Sequence, residues 1–214
     1  MIGAILAGGL GRRMGADKPS RELAGRPLAA YPAAALRATC DRVAIVAKAD
    51  TTLPPLEGVE RWDEPDAPRH PLTGIVHALE RAGEPVLVCA ADMPFVTPDV
   101  CLRLCDARAI ARAGGRLQPL LGVYLPEWLP ALRAAQANAP LTRTVEALDP
   151  RTLELPADVV VSIDTPEQLR SAQHDQRGDR QREHDLPDAE SGAEVRGARE
   201  LGDPDAGAER RQGD

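Results

Sequence analysis

Apolar positions along the first 172 residues follow two alternating patterns. Short strand-like runs fall at residues 2–6, 43–47, 59–62, 86–91 and 159–163, all but 59–62 mainly apolar, each bounded by polar or glycine-containing turns. Runs of that length predict strands buried on both faces. Between them, residues 28–38, 72–82, 98–107, 127–137 and 166–172 carry apolar residues at helical spacing. Proline opens several of these segments, as at Pro98 and Pro166, where the missing N–H has no helical partner to lose. Strand–helix alternation predicts a mostly parallel α/β sheet with right-handed crossovers. Its ligands would bind along the edge formed by the carboxyl ends of the strands. Residues 109–124 break the alternation, and Gly114-Gly115 within them predicts a hairpin at the edge of the sheet.

The pattern ends near residue 173. Residues 173–214 are rich in Arg, Asp, Glu, Gln and Gly and poor in apolar side chains. They cannot bury enough surface to offset the entropy of ordering, so a disordered, solvated extension is expected. The chain thus divides into a folded domain at 1–172 and a charged tail at 173–214. The tail holds 12 acidic and 7 basic side chains, a balance of −5 out of a total formal charge of −7. The nearly neutral body is unlike a basic nucleic-acid surface. With 2% aromatic residues, it also lacks stacking platforms for single strands. No apolar stretch reaches the ~18–20 residues of a membrane span. The N-terminus opens on a strand without a charged leader region, so neither a signal peptide nor membrane attachment is expected. Cys40, Cys89, Cys101 and Cys105 contain no C-x-x-C pair; reduced, structural thiols in a cytoplasmic protein are expected.

Residues 6–18 carry the densest chemistry. Leu6 to Lys18 reads LAGGLGRRMGADK, with four glycines, two arginines and one lysine directly after the first predicted strand. Glycine lets backbone approach a ligand closely. Free N–H groups ahead of a helix bind anions, and Arg and Lys bind phosphate as a fork and as a point charge. The segment reads as a polyphosphate cradle or, on composition alone, as an ordinary glycine-rich strand–helix turn. It is not a Walker loop, because Gly15 is followed by Ala16, Asp17, Lys18 and Pro19. Nor is it a dinucleotide fingerprint, because Met14 stands where the third glycine belongs. Lys18 argues for the cradle. Among 26 basic residues only Lys18 and Lys48 are lysines, so a lysine kept inside such a loop suggests a task that a guanidinium cannot fill. Lys48 is the internal comparison, a position where Arg should substitute with little loss.

LAGG-x-x-x-RMG-x-DK, followed by G-x-PL at Gly25 to Leu28, resembles the opening of the molybdenum cofactor guanylyltransferases. Three later segments keep the order of that family: Asp63 with PLTG at Pro71 to Gly74, VLVCAADMP at Val86 to Pro94, and DTPEQL at Asp164 to Leu169. The resemblance covers residues 1–172. It implies a Rossmann-like, mostly parallel sheet with helices on both faces, folded as a single nucleotidyltransferase domain. It further implies Mg²⁺-dependent transfer of GMP from GTP to molybdopterin, with pyrophosphate released. LAGG rather than LAAG, and DMP rather than DQP, lean toward guanylyl over cytidylyl transfer. CTP transfer to the same cofactor, NTP transfer to another phosphorylated acceptor, and a non-catalytic nucleotide-binding partner protein are the alternatives. Other proteins of molybdenum cofactor biosynthesis are the implied partners.

The same resemblance implies nucleotide contacts at Leu6, Ala7, Gly8, Gly9, Lys18, Asp63 and Asp92. Arg13, Lys18 and Asp92 would be catalytic, with Arg13 and Lys18 opposing charge on the leaving pyrophosphate; Arg12 is open between phosphate and solvent. Asp92, at the carboxyl end of a buried strand, suits Mg²⁺ bridging phosphate oxygens, and it lies too far upstream to cap the helix at Pro98. Asp164 is open between a second metal contact and the N-cap of the helix at Pro166, a task for which Thr165 competes. Asp63 is open between a nucleotide contact and a turn residue. Three positions depart from the family: Val46 replaces an Asn that contacts nucleotide in some members, His70 replaces a Gly, and Asp164 replaces the usual Asn before Thr-Pro. Trp62 and His77 read as packing residues.

Overall fold

The computed structural model describes residues 1–7, 18–135 and 139–173. Strand β1 (Ile2–Leu6) lies inside a seven-stranded sheet, between β4 (Arg42–Ala47) and β6 (Val86–Ala90), and runs parallel to both. Ile5 is in register with Ile45 on one side and Cys89 on the other. Beyond β4, β5 (Glu60–Asp63) completes one edge in parallel, placing Ala47 beside Asp63. The short strands β2 (Glu22–Leu23) and β3 (Arg26–Pro27) form a separate two-stranded ribbon.

Side-chain alternation along β1, β4 and β6 sorts two cores, one on each face. Ile5, Val43, Ile45, Leu87 and Cys89 pack with Ala33 and Leu36 of α1 (Ala30–Arg37) and with Val100, Cys101 and Leu104 of α3 (Pro98–Ala107). Ile2, Ala4, Val46, Val86 and Val88 pack on the opposite face with Leu72, Ile75, Ala78 and Leu79 of α2 (Pro71–Ala82). Leu132 of α4 (Leu129–Ala134) and Val145 of α5 (Leu141–Glu146) extend that second layer. The continuous apolar runs of the strands are thus explained: every residue of β6 is buried, and successive residues serve different helices. Residues 166–173 form the last helix, α6. Its Ala172 joins Leu23, Leu28 and Ile163 in a small third core. Among the described residues no helix is long and apolar enough to cross a membrane.

The far side of the sheet departs from the sequence reading. The predicted hairpin exists, as β7 (Ile110–Ala113) and β8 (Arg116–Tyr124), but it is internal. β8 pairs antiparallel with β6, and the edge beyond β7 belongs to β9 (Thr152–Glu154). With three residues and one half-buried side chain, Leu153, β9 has too little pattern to be seen in sequence. The predicted strand at 159–163 does not form. Residues 157–160 make a turn, 161–164 run without regular structure, and Val161 is exposed. The other apolar side chains of the segment serve packing instead: Val159 and Val160 lie against the first core and Ile163 in the third. The helix expected at 127–137 begins as a 3-10 turn, Pro126–Trp128, and α4 stops at Ala134 because Ala135 is extended, with ψ 140°. The register shift between Ile110 and Ala111 faces Gly122. There a Cβ would come within 2.6 Å of the Ile110 Cα, so only glycine fits.

Candidate active site

β1, β4 and β6 are parallel, so their carboxyl ends open on one edge of the sheet. Two backbone bonds bind these ends together: Ala7 N–H donates to the Val46 carbonyl at 2.9 Å, and Ala91 N–H donates to the Leu6 carbonyl at 3.0 Å. Leu6 and Ala7 therefore sit between the neighbouring strand ends. Gly8, Gly9, Arg12 and Arg13 lie outside the described residues, as does the tail from residue 174. Lys18 opens a 3-10 turn, Lys18–Ser20, on the same edge.

Lys18 is where the edge becomes a site. Its Nζ donates to Asp92 Oδ2 and, at 2.6 Å, to Asp164 Oδ1. The three residues stand 74 and 146 positions apart in sequence, and each arrives by a separate device. Asp92 follows β6 by two residues. Ile163 N–H donates to the Asp92 carbonyl at 2.9 Å, which ties the approach to α6 against the Asp92 turn. Thr165 then caps α6, its Oγ1 accepting from Gln168 N–H at 3.2 Å. Gln168 Oε1 accepts in return from Asp164 N–H at 2.7 Å and Thr165 N–H at 3.0 Å. That reciprocal box satisfies the helix end and leaves the Asp164 carboxylate free to reach Lys18. Thr165, not Asp164, therefore caps α6, and Thr97 caps α3, in keeping with the distance of Asp92 from that helix.

Burial works to lower the Lys18 pKa, but the Asp92 and Asp164 carboxylates outweigh it and hold the ammonium above the ordinary lysine range. Asp92 Oδ1 is buried and has no hydrogen-bond partner among the described residues. A carboxylate oxygen with spare lone pairs beside a second carboxylate suits a hard divalent cation. Mg²⁺ is commonly held by one or two carboxylates together with substrate phosphates, and no group of three or more metal-ligating side chains occurs among the described residues.

The other flagged residues are dispersed along the edge. Asp63 ends β5 with its side chain exposed and accepts from Arg61 Nε at 2.7 Å. It stands three strand spacings from β6, about 14 Å. Val46 is fully packed in the second core. His70 is the N-cap of α2, its Nδ1 accepting from Leu72 N–H at 3.2 Å, so the departure from glycine is used to seat a helix. Trp62 is buried, donating to Glu60 at 3.1 Å beneath the Arg81 guanidinium. All four cysteines are free thiols, and burial pushes Cys101 up to about 12.

Lys48 contradicts the sequence reading. It is not a generic cation but a buried one, 2% exposed, opposite an equally buried Glu64 at 3.3 Å. Its Nζ also donates to the Pro65 and Pro68 carbonyls. These three acceptors match the three protons of an ammonium, and a guanidinium is too large for the socket. Glu64 went unnoticed in sequence because one Glu in the loop after a strand carries no pattern. Its second oxygen lies 3.0 Å from where a Gly74 Cβ would stand, so Gly74 lets α2 close over the pair.

Beside Asp164, on the side of Ile163 and Gln168, lies a cavity of about 620 Å³. Phe95, Val159 and Val161 supply its apolar walls, and Thr97 and Ser171 add hydroxyls.

The profile of the MobA-like NTP transferase domain family matches residues 3–152. A molybdenum cofactor guanylyltransferase of Cereibacter sphaeroides is 38% identical over 153 residues, covering 61% of this chain and 76% of that protein. Among solved structures, molybdopterin-guanine dinucleotide biosynthesis protein A of Archaeoglobus fulgidus superposes with a TM-score of 0.65 at 22% identity, covering 83% of this chain and 100% of that one. The 2-C-methyl-D-erythritol 4-phosphate cytidylyltransferase of Thermus thermophilus superposes with a TM-score of 0.60 at 20% identity, over 82% and 98%. The same fold therefore carries more than one nucleotide specificity.

Proposed function

The chain belongs to the MobA-like NTP transferase family, and on that footing we propose that it transfers GMP from GTP to the phosphate of molybdopterin. The observation that carries the reading is the meeting of Lys18, Asp92 and Asp164 at the strand-end edge where the glycine-rich segment leaves β1. In the reaction, an acceptor phosphate oxygen bonds to the α-phosphorus as the bond to the bridging oxygen of the β-phosphate breaks. Pyrophosphate leaves with the electron pair. Such transfers depend on positioning and charge more than on covalent help from the protein. Lys18 supplies a compact cation against the charge that grows on the leaving group. Mg²⁺, held by Asp92 with Asp164, would neutralise phosphate charge when bound.

Asp63, about 14 Å away, is too far to share a phosphate with Asp92. In this reading Asp63 meets the nucleoside end of the substrate rather than its phosphates. The cavity between Phe95 and α6 is lined by Ile163, the neighbour of Asp164 in the chain; in this reading it would receive the acceptor. Free thiols throughout suit a reducing cytoplasm.

The test is pyrophosphate release from each of the four NTPs with Mg²⁺ and molybdopterin. Release with GTP, dependent on the acceptor, is expected. Preference for CTP would move the protein to the cytidylyl branch, and binding of GTP without any turnover would make it a nucleotide-binding partner protein.

A further inference from the structure

We propose that Lys18 is the stand-in cation of the nucleotide-free enzyme, closing the Asp92–Asp164 pair so that a divalent ion binds well only together with the triphosphate. The inference rests on the reading of Asp92 and Asp164 as the metal carboxylates. One ammonium bridges both groups, donating to Asp92 Oδ2 and Asp164 Oδ1, and its side chain is only 18% exposed. Two carboxylates brought this close repel each other, so the free protein needs a cation between them. A divalent ion entering alone would have to displace a neutralising charge and leave an ammonium stranded beside it. A triphosphate changes that balance, because its oxygens give the ammonium a new partner as the carboxylates are released. Lys18 thus has two positions, on the carboxylates when nucleotide is absent and on the phosphates when it is present. The unpartnered Asp92 Oδ1 is the one oxygen of that carboxylate that Lys18 leaves uncovered.

The experiment is Mn²⁺ binding, followed by electron paramagnetic resonance, to nucleotide-free wild type and Lys18→Met. Asp92→Asn in each background provides the blank for ions held elsewhere, such as the acidic tail. Lys18→Met should bind Mn²⁺ roughly tenfold more tightly or better, as expected from removing a unit charge within about 4 Å of a divalent ion even at bulk-water dielectric. Equal affinity in the two proteins would overturn the proposal and leave the metal carboxylates standing. No Asp92-dependent binding in either would overturn both. Because Lys18→Met removes a counter-ion and can loosen the fold, a second measurement uses the wild type. The chain has two lysines, Lys18 and Lys48, so Nζ resonances of ¹⁵N-lysine protein report on Lys18 directly. Millimolar Mg²⁺ alone should leave the Lys18 signal in place, and GTP with Mg²⁺ should move it while Lys48 stays still. Movement with Mg²⁺ alone would overturn the stand-in role.

Discussion

Lys48→Met should destabilise the protein by an amount that depends on pH, because the structure fixes what the lysine leaves behind. Both partners of the Lys48–Glu64 pair are 2% exposed. Met keeps the apolar stem and removes the charge. The Pro65 and Pro68 carbonyls lose a donor, a cost of about 1–2 kcal/mol that pH does not change. Glu64 loses its ion-pair partner, keeps only the weaker pull of Arg69, and has an oxygen already without a partner among the described residues, so it stays buried by taking up a proton. From an ordinary value of 4.5, that uptake costs up to about 3.4 kcal/mol at pH 7 and under about 0.7 at pH 5. In the wild type, burial already holds Glu64 above its ordinary range against the pull of Lys48. In the variant it rises further. A carboxyl raised by folding keeps its stability contribution below the unfolded value and loses it as pH climbs toward the folded value. The gap between wild type and variant should therefore widen from pH 5 to pH 7, by up to about 2.7 kcal/mol at 1.36 per unit. The total at pH 7, up to about 5 kcal/mol, agrees with the cost of breaking a buried pair. Urea unfolding of both proteins at the two pH values measures it, and Lys48→Met/Glu64→Gln should lose the pH dependence. A gap below about 1 kcal/mol at pH 7, or one equal at both pH values, would refute the reasoning.

Asp92→Asn should lower turnover by about 100- to 1000-fold, the size of a lost charge-stabilising contact, with little change in Tm; activity within a few-fold of wild type would remove Asp92 from the metal site. Lys18→Arg should cut turnover without unfolding the protein, whereas Lys48→Arg should lower Tm by overfilling its socket; small, equal effects at both would end the argument from lysine retention. Gly122→Ala, whose Cβ would sit 2.6 Å from the Ile110 Cα at a φ of +155°, should cost about 1–3 kcal/mol in urea unfolding, and a loss under about 0.5 would mean the bulge can relax. Deleting residues 174–214 should leave both Tm and GTP binding unchanged, since the segment has few apolar residues and no core-forming pattern; a fall of several degrees would show that it docks on the domain.

Burial on two faces leaves a signature that any reader of the chain can use, and it carried most of the fold. β1, β4 and β6 are legible because each must be apolar without a break, and α1, α2 and α3 because each presents one apolar stripe to one face. Lys18, Asp92 and Asp164 were individually visible, as a rare lysine in a glycine loop and as carboxylates just beyond apolar runs. That they meet was not, because contact over 74 and 146 positions depends on strand order and on the Ile163–Asp92 backbone bond. The same limit explains the errors. Residues 159–163 have the composition of a strand, but Val159 and Val160 pack against the first core and Ile163 in the third, while the strand beside β7 is a three-residue segment with almost no pattern. Lys48 looked like a surface charge because sequence reports residue type and not depth; only the closure of α2 over the sheet makes it a buried ion partner of Glu64. Local periodicity records which face of a segment is dry, whereas partners, edges and buried charges are set by chain segments far away in sequence, and those only the tertiary structure brings together.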